Sequence, residues 1–144
     1  ATIPVTLRTA NQDLGVNQNV ASFVVPVGAT INMDGTAIMQ GLATVFIAQM
    51  SGIDLTLFQY VQVVLLAVAT SIGTAAVPSA GTITLIIILQ QFNLPLEAIG
   101  IILAVDRVLD MIRTSVNVTG DAAIACIVAK TENQLDENIF NSKG

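Results

Sequence analysis

Five polar side chains follow one another along an otherwise apolar stretch: Asp106, Asp110, Arg113, Asn117 and Asp121, at spacings of 4, 3, 4 and 4. At 100° per residue on a helix they fall within about 80° of one face, with Thr114 just beside that arc. The other faces carry Ile, Val, Leu, Ala and Met. A charge at the centre of a bilayer costs between about 2.5 and more than 10 kcal/mol. Three carboxylates and one guanidinium on a single stripe must therefore face protein, water or ions. Two readings are open: a site for charged solutes, or an ion-pair ladder that locks two helices. Carboxylates outnumber bases on the stripe, and in low dielectric that surplus attracts cations.

Arg113 narrows the chemistry. Its planar fork matches a carboxylate bidentately. The partner is either an anionic group on a solute or Asp110, three residues back. Asp34 points to cations from another direction. It sits in Asn32-Met33-Asp34-Gly35-Thr36, within a long apolar segment that also holds Pro26 and Gly28. Unwound backbone there would offer carbonyls beside a carboxylate, which suits a hard cation such as Na⁺. The plainer alternative is a kink with a polar plug. A third cluster, residues 71–81, is made of Gly, Ser, Thr, Ala and Pro with one Val and one Ile. Gly73 and Gly81 would let backbone approach a ligand closely, as a lid or simply as a tight turn.

The elements that carry these residues follow from hydropathy. Of 144 residues, 53% are apolar and only 10% charged, against about 25% charged in a soluble domain. Five Lys and Arg in all form no basic stripe, so nucleic-acid binding is excluded. A lone Cys126 makes no disulfide framework, and with no His an enzyme is not indicated. No signal peptide can be read at Ala1, and the start is expected to be a truncation. Residues 1–19 read as a short helix after Pro4 followed by an aqueous loop. Residues 20–50 would span about 46 Å as one helix, more than the roughly 30 Å hydrocarbon core. Two half-helices joined by an unwound stretch near residues 30–35 are expected. Residues 57–92 have two apolar arms of about 14 residues, roughly 21 Å each, too short to cross. Around their small-residue tip they read as a re-entrant helical hairpin, whose irregular backbone is tolerated only inside protein or beside water. Residues 96–129 read as one long helix, and residues 131–144 as a polar, disordered tail. The glycosylation sequon Asn117-Val118-Thr119 lies inside that helix and is discounted.

Taken together these residues resemble a known family. Asn32-Met33-Asp34-Gly35-Thr36 on a broken helix resembles the NMDGT motif of the glutamate/aspartate:cation symporters. The tip at residues 71–81 resembles that family's second re-entrant hairpin, and residues 110–121 its last transmembrane helix. The resemblance covers nearly the whole chain, in order. It implies an all-α membrane protein with a broken transmembrane helix, a re-entrant helical hairpin and a final amphipathic transmembrane helix. The boundaries would be 1–19 for the second arm of a first hairpin and its loop, 20–52 for the broken helix, 53–95 for the second hairpin, 96–130 for the last helix and 131–144 for the tail. It also implies a homotrimer in the cell membrane (inner or plasma), with many passes, lipid around it and an elevator-type transport domain. The N-terminal scaffold of the same protein is absent from this chain.

The resemblance also assigns roles. Arg113 would hold the substrate side-chain carboxylate, with help from Thr36, and Asp110 its amino group. Thr114 and Asn117 would hold the main carboxylate and its polar neighbours. The tip from Val77 to Gly81 would close over the solute. One sodium site would use Asp121 with carbonyls of Gly28, Asn32 and Asn117. A second would use carbonyls of Thr30, Ser71, Ile72 and Thr74. A third would use Asp34 and Asn32 with groups on a helix outside this chain. Arg113 favours an acidic amino acid, and Asp121 favours sodium over proton coupling. The leading expectation is thus sodium-coupled transport of glutamate or aspartate. Alternatives are a proton-coupled glutamate or dicarboxylate symporter, a non-transporting fragment, and an ion channel, which would have no need of a lid.

Overall fold

A computed structural model describes residues 2–72 and 80–142. Among them the chain is mostly helical, with short connections and one isolated antiparallel bridge between Val16 and Leu135. Helices α1 (Ile3–Gln12), α2 (Gln18–Ile31), α3 (Asp34–Met50), α4 (Leu57–Ser71) and α5 (Ala80–Gln91) are followed by a 3-10 turn at Leu96–Ala98. Then come α6 (Ile99–Thr131) and α7 (Glu137–Asn141). Two compact units contain them: residues Ala1–Asn32 with Asn117–Gly144, and residues Met33–Val116.

In the first unit α1 and α2 pack together with the C-terminal part of α6. Ala10, Val16, Val20, Ala21, Val25, Ala125 and Ala129 form its core, and Leu135 packs against it. The small side chains on α6 let the helices approach closely. The tail differs from expectation, because residues 131–142 are ordered. The Asn17 N–H donates to the Gln134 carbonyl at 3.0 Å, and the Asp136 N–H to the Gly15 carbonyl at 2.8 Å. Gly15 has φ +71°, a conformation that favours glycine. Asp136 caps α7 by accepting from the Asn138 and Ile139 N–H groups. Composition marks this tail as polar, but backbone pairing and the half-buried Leu135 give it a place.

In the second unit α3, α4 and α5 pack on one another. Met39, Ala43 and Ile47 of α3, Leu85 and Leu89 of α5, and Ile99 and Ile102 of α6 form a core cluster of this unit. Thr56 and Gln59 form a reciprocal capping box that starts α4. Two arms of 15 and 12 residues flank the tip, as the hydropathy predicts. The tip itself, including Thr74 and Val77, lies outside the described residues. Left-handed residues stop three helices: Gly52 after α3, Asn93 after α5 and Asn133 after α6. Each is followed by an N–H that reaches back five residues: Ile53 to Ala48, Leu94 to Leu89 and Gln134 to Ala129. That is the Schellman arrangement, which satisfies carbonyls the helix end leaves over.

Burial is inverted on α6. Asp121 is buried, while Leu103, Val105, Val108, Met111, Ile112 and Ile127 are exposed. The outer face of α4 is likewise apolar, with Leu57, Phe58, Val61, Val64, Leu65 and Val68 exposed. Among the described residues no helix is long and apolar enough to cross a membrane. Helices α2 to α5 have 14, 17, 15 and 12 residues, fewer than the roughly 20 a span requires. Helix α6 has 33, but its ionic stripe lowers its mean hydropathy.

Candidate functional site

The break between α2 and α3 is tighter than the sequence suggests. Only Asn32 and Met33 leave the helical path, with ψ of 72° and 46°. Thr30 remains helical and its hydroxyl folds back on the Pro26 carbonyl at 3.5 Å. Gly28 is also helical, and its carbonyl accepts the Asn32 N–H at 2.7 Å. The expected loop of carbonyls over residues 30–35 therefore contracts to the last turn of α2. There a helix end leaves the carbonyls of Ala29, Thr30 and Ile31 without intrahelical donors.

In the first unit this helix end meets Asp121. The Asn32 Nδ2 donates to Asp121 Oδ1 at 2.8 Å, and the carboxylate is 3% exposed. Gly28 lies against the same carboxylate, so close that an added Cβ would strike it. Asn117 sits one turn earlier on α6, half-buried. Gly28, Asn32 and Asp121 are thus brought together, with the Asn32 side-chain amide and not its carbonyl on the carboxylate. Among the described residues no three acidic, His or Cys side chains gather. One carboxylate beside an amide and helix-end carbonyls is a weakly charged oxygen set. It fits a monovalent hard cation better than a divalent one, which takes more carboxylates.

In the second unit the chemistry centres on Arg113. Its side chain is 10% exposed, and Nη2 donates to the Asp110 carboxylate, which is 54% exposed. Nη1 is buried and has no hydrogen-bond partner among the described residues. A buried charged donor left in that state is costly, and an incoming carboxylate would satisfy it. Among the described residues, half of the fork is engaged by Asp110 and half has no partner. Gly81 of α5 stands against Nη1, where a Cβ would overlap it, and Gly35 of α3 abuts the Arg113 backbone carbonyl. Thr36 is buried beside Gly35, and its hydroxyl lies 3.6 Å from Met33 Sδ. Thr114 is half-buried. Asp106 keeps one buried carboxylate oxygen without a partner among the described residues. A cavity of about 270 Å³ between α3 and α6 also borders Gly35 and Arg113. Its walls, among them Ile38, Leu42, Phe46, Leu109 and Val116, are apolar. It offers a charged solute nothing; the polar end of Arg113 lies at Gly81.

Other predicted residues make local contacts of their own. Ser71 is buried and spends its hydroxyl on the Val68 carbonyl at 2.9 Å, closing α4. Ile72 is exposed, and its N–H also reaches the Val68 carbonyl. Thr30 belongs to the first unit and these two to the second. Asp34 is exposed in the first turn of α3, where a carboxylate complements the helix dipole.

One polar group was missed by sequence reasoning. Gln40 is fully buried and bonds both arms of the hairpin. It donates to Thr84 Oγ1 on α5 and accepts from Thr70 Oγ1 on α4 at 3.1 Å. Its carbonyl accepts from Thr44 at 2.8 Å. The available signal was the spacing of Thr36, Gln40 and Thr44, four apart on one face of α3.

The profile of the Sodium:dicarboxylate symporter family matches residues 1–131. The chain is 51% identical over 130 residues to "Excitatory amino acid transporter 3" of Mus musculus, covering 90% of this chain and 25% of that protein. It is 51% identical over 127 residues to "Excitatory amino acid transporter 2" of Homo sapiens, 88% of this chain and 22% of that one. It is 51% identical over 128 residues to "Excitatory amino acid transporter" of Caenorhabditis elegans, 89% and 25%. The chain spans about a quarter of the length of these relatives. With a half-engaged buried arginine, a clasped buried carboxylate and a profile match over most of its length, this chain belongs to the Sodium:dicarboxylate symporter family.

Proposed function

We propose that this chain is the C-terminal part of the transport domain of a membrane symporter that carries glutamate or aspartate together with sodium ions. The observation that carries the reading is Arg113: a nine-tenths buried guanidinium with one nitrogen on Asp110 and the other unpartnered among the described residues. In this reading the solute's side-chain carboxylate takes Nη1, supported by Thr36, and its amino group takes Asp110. Thr114 and Asn117 hold the main carboxylate. The hairpin of α4 and α5 closes over the solute, and Gly81 leaves room for the guanidinium beneath it. Sodium is a co-transported substrate held by the Asp121 carboxylate and by carbonyls at the end of α2. The exposed apolar faces of α4 and α6 suit lipid or the remaining helices of the protein. Elevator-type movement in a homotrimer is part of the same proposal and rests on family membership.

The test is uptake of radiolabelled aspartate by the full-length protein in liposomes with an inward sodium gradient. Truncating one partner of a buried charge pair costs about 3–5 kcal/mol, so Arg113→Ala should cut uptake at least about 100-fold. Asp121→Asn should raise the half-saturating sodium concentration by about tenfold or more, with a smaller effect on aspartate at saturating sodium. Undiminished uptake by Arg113→Ala would remove the basis of the assignment. Uptake driven equally well by a proton gradient without sodium would favour the proton-coupled alternative.

A further inference from the structure

Two helices of the first unit interlock through paired gaps. On α2, Gly28 lies opposite the Asp121 carboxylate; on α6, Gly120 lies opposite the Asn32 amide. A Cβ at Gly28 would come within 2.8 Å of Asp121 Cγ. A Cβ at Gly120 would stand 2.6 Å from Asn32 Nδ2 and 3.4 Å from its Cγ. Real Cβ atoms do not approach a neighbour to 2.6 Å, so something must yield. The neighbour here is the end of a side chain, not backbone. The amide would rotate away and give up its 2.8 Å bond to Asp121 Oδ1. Gly100, on the same helix, has nothing within 4 Å of the corresponding point.

We propose that Gly120 is a positioning residue for the cation site. It touches neither ion nor solute. Its missing side chain lets the Asn32 amide clasp Asp121, and that clasp fixes the direction of the carboxylate oxygens offered to sodium. Partners that orient a metal-binding group characteristically change affinity by about 10–100-fold when removed. The inference rests on the sodium-symport reading and adds a residue to it.

The experiment uses the purified full-length protein and sodium alone, read as sodium-dependent protection against thermal unfolding without aspartate. Aspartate affinity at saturating sodium is measured separately. Gly120→Ala should raise the half-saturating sodium concentration about tenfold and change aspartate affinity at saturating sodium by no more than about twofold. Asn32→Ala, which keeps the main-chain carbonyl, should produce a similar sodium shift. The double variant should be no worse than Asn32→Ala, because sites acting through one contact are not additive. Gly100→Ala should leave both curves unchanged. If Gly120→Ala does not fold, the double variant carries the test, since the methyl then has room. A wild-type sodium curve for Gly120→Ala, or effects that multiply in the double variant, would overturn the inference while leaving the symport reading intact. A wild-type protein with no response to sodium would overturn both.

Discussion

At the scale of the residue, Arg113 shows why charge alone does not define a site. Lys would supply the same charge as a compact, more strongly hydrated point on a flexible stem, with no planar fork. Arg113→Lys should therefore bind aspartate at least about tenfold more weakly while retaining measurable uptake, unlike Arg113→Ala. A KM series over the two variants checks this. The ionic stripe was legible in the sequence because helical periodicity places 106, 110, 113, 117 and 121 on one arc. What the arc could not tell is how the charges divide. Asp110 is half exposed and shares Arg113, whereas Asp121 is buried and is held by an amide 89 positions away. That pairing depends on two glycine gaps, and a glycine in a sequence does not announce which neighbour fills its space.

At the scale of the element, the hairpin arms are fastened to α3 by one side chain. Replacing Gln40 with Leu removes the donor and acceptor that reach Thr84 and Thr70. The Thr84 hydroxyl, which accepts from Gln40, also donates to the Gly81 carbonyl, and the single Thr70 proton can turn from Gln40 to the Leu66 carbonyl of its own helix. The loss is therefore partial, and Gln40→Leu should destabilise by about 1–3 kcal/mol, seen as a lower Tm. Adding Thr70→Val and Thr84→Val should cost less than the sum of the separate changes, because they share the partner. Two half-helices, two short arms and one long helix were legible from apolar run lengths and from Pro and Gly. The width of the break was not. Asn32 caps α2 by donating its N–H to Gly28, and Asp34 favours the start of α3, so local capping shortens the gap to two residues. The order of residues 131–142 was hidden too, because it depends on a bridge to Val16 on the far side of the chain. Gln40 escaped notice because a lone Gln on an apolar helix reads as surface until its partners on α4 and α5 are known.

At the scale of the whole molecule, the assigned residues divide between the two units, with Asn117, assigned to both solute and sodium, beside Asp121, and Asp34, Ser71 and Ile72 in the same unit as Arg113. Thr36, Gly81, Asp110, Arg113 and Thr114 lie in the unit of residues Met33–Val116, and Gly28, Asn32, Asn117 and Asp121 in the other. Helix α6 contributes to both without interruption over 33 residues. Between Arg113 and Asp121 the chain is one unbroken helical rod. Its compliance then matters as much as its side chains. Replacing Ser115 and Val116 with glycine would soften the rod by about 1 kcal/mol or less per position, touching neither cluster's assigned groups. Sodium and aspartate should then each bind nearly as before when measured singly, yet sodium should raise aspartate affinity by a smaller factor than in the unaltered protein, because cross-talk between ligands needs a body that transmits their strain.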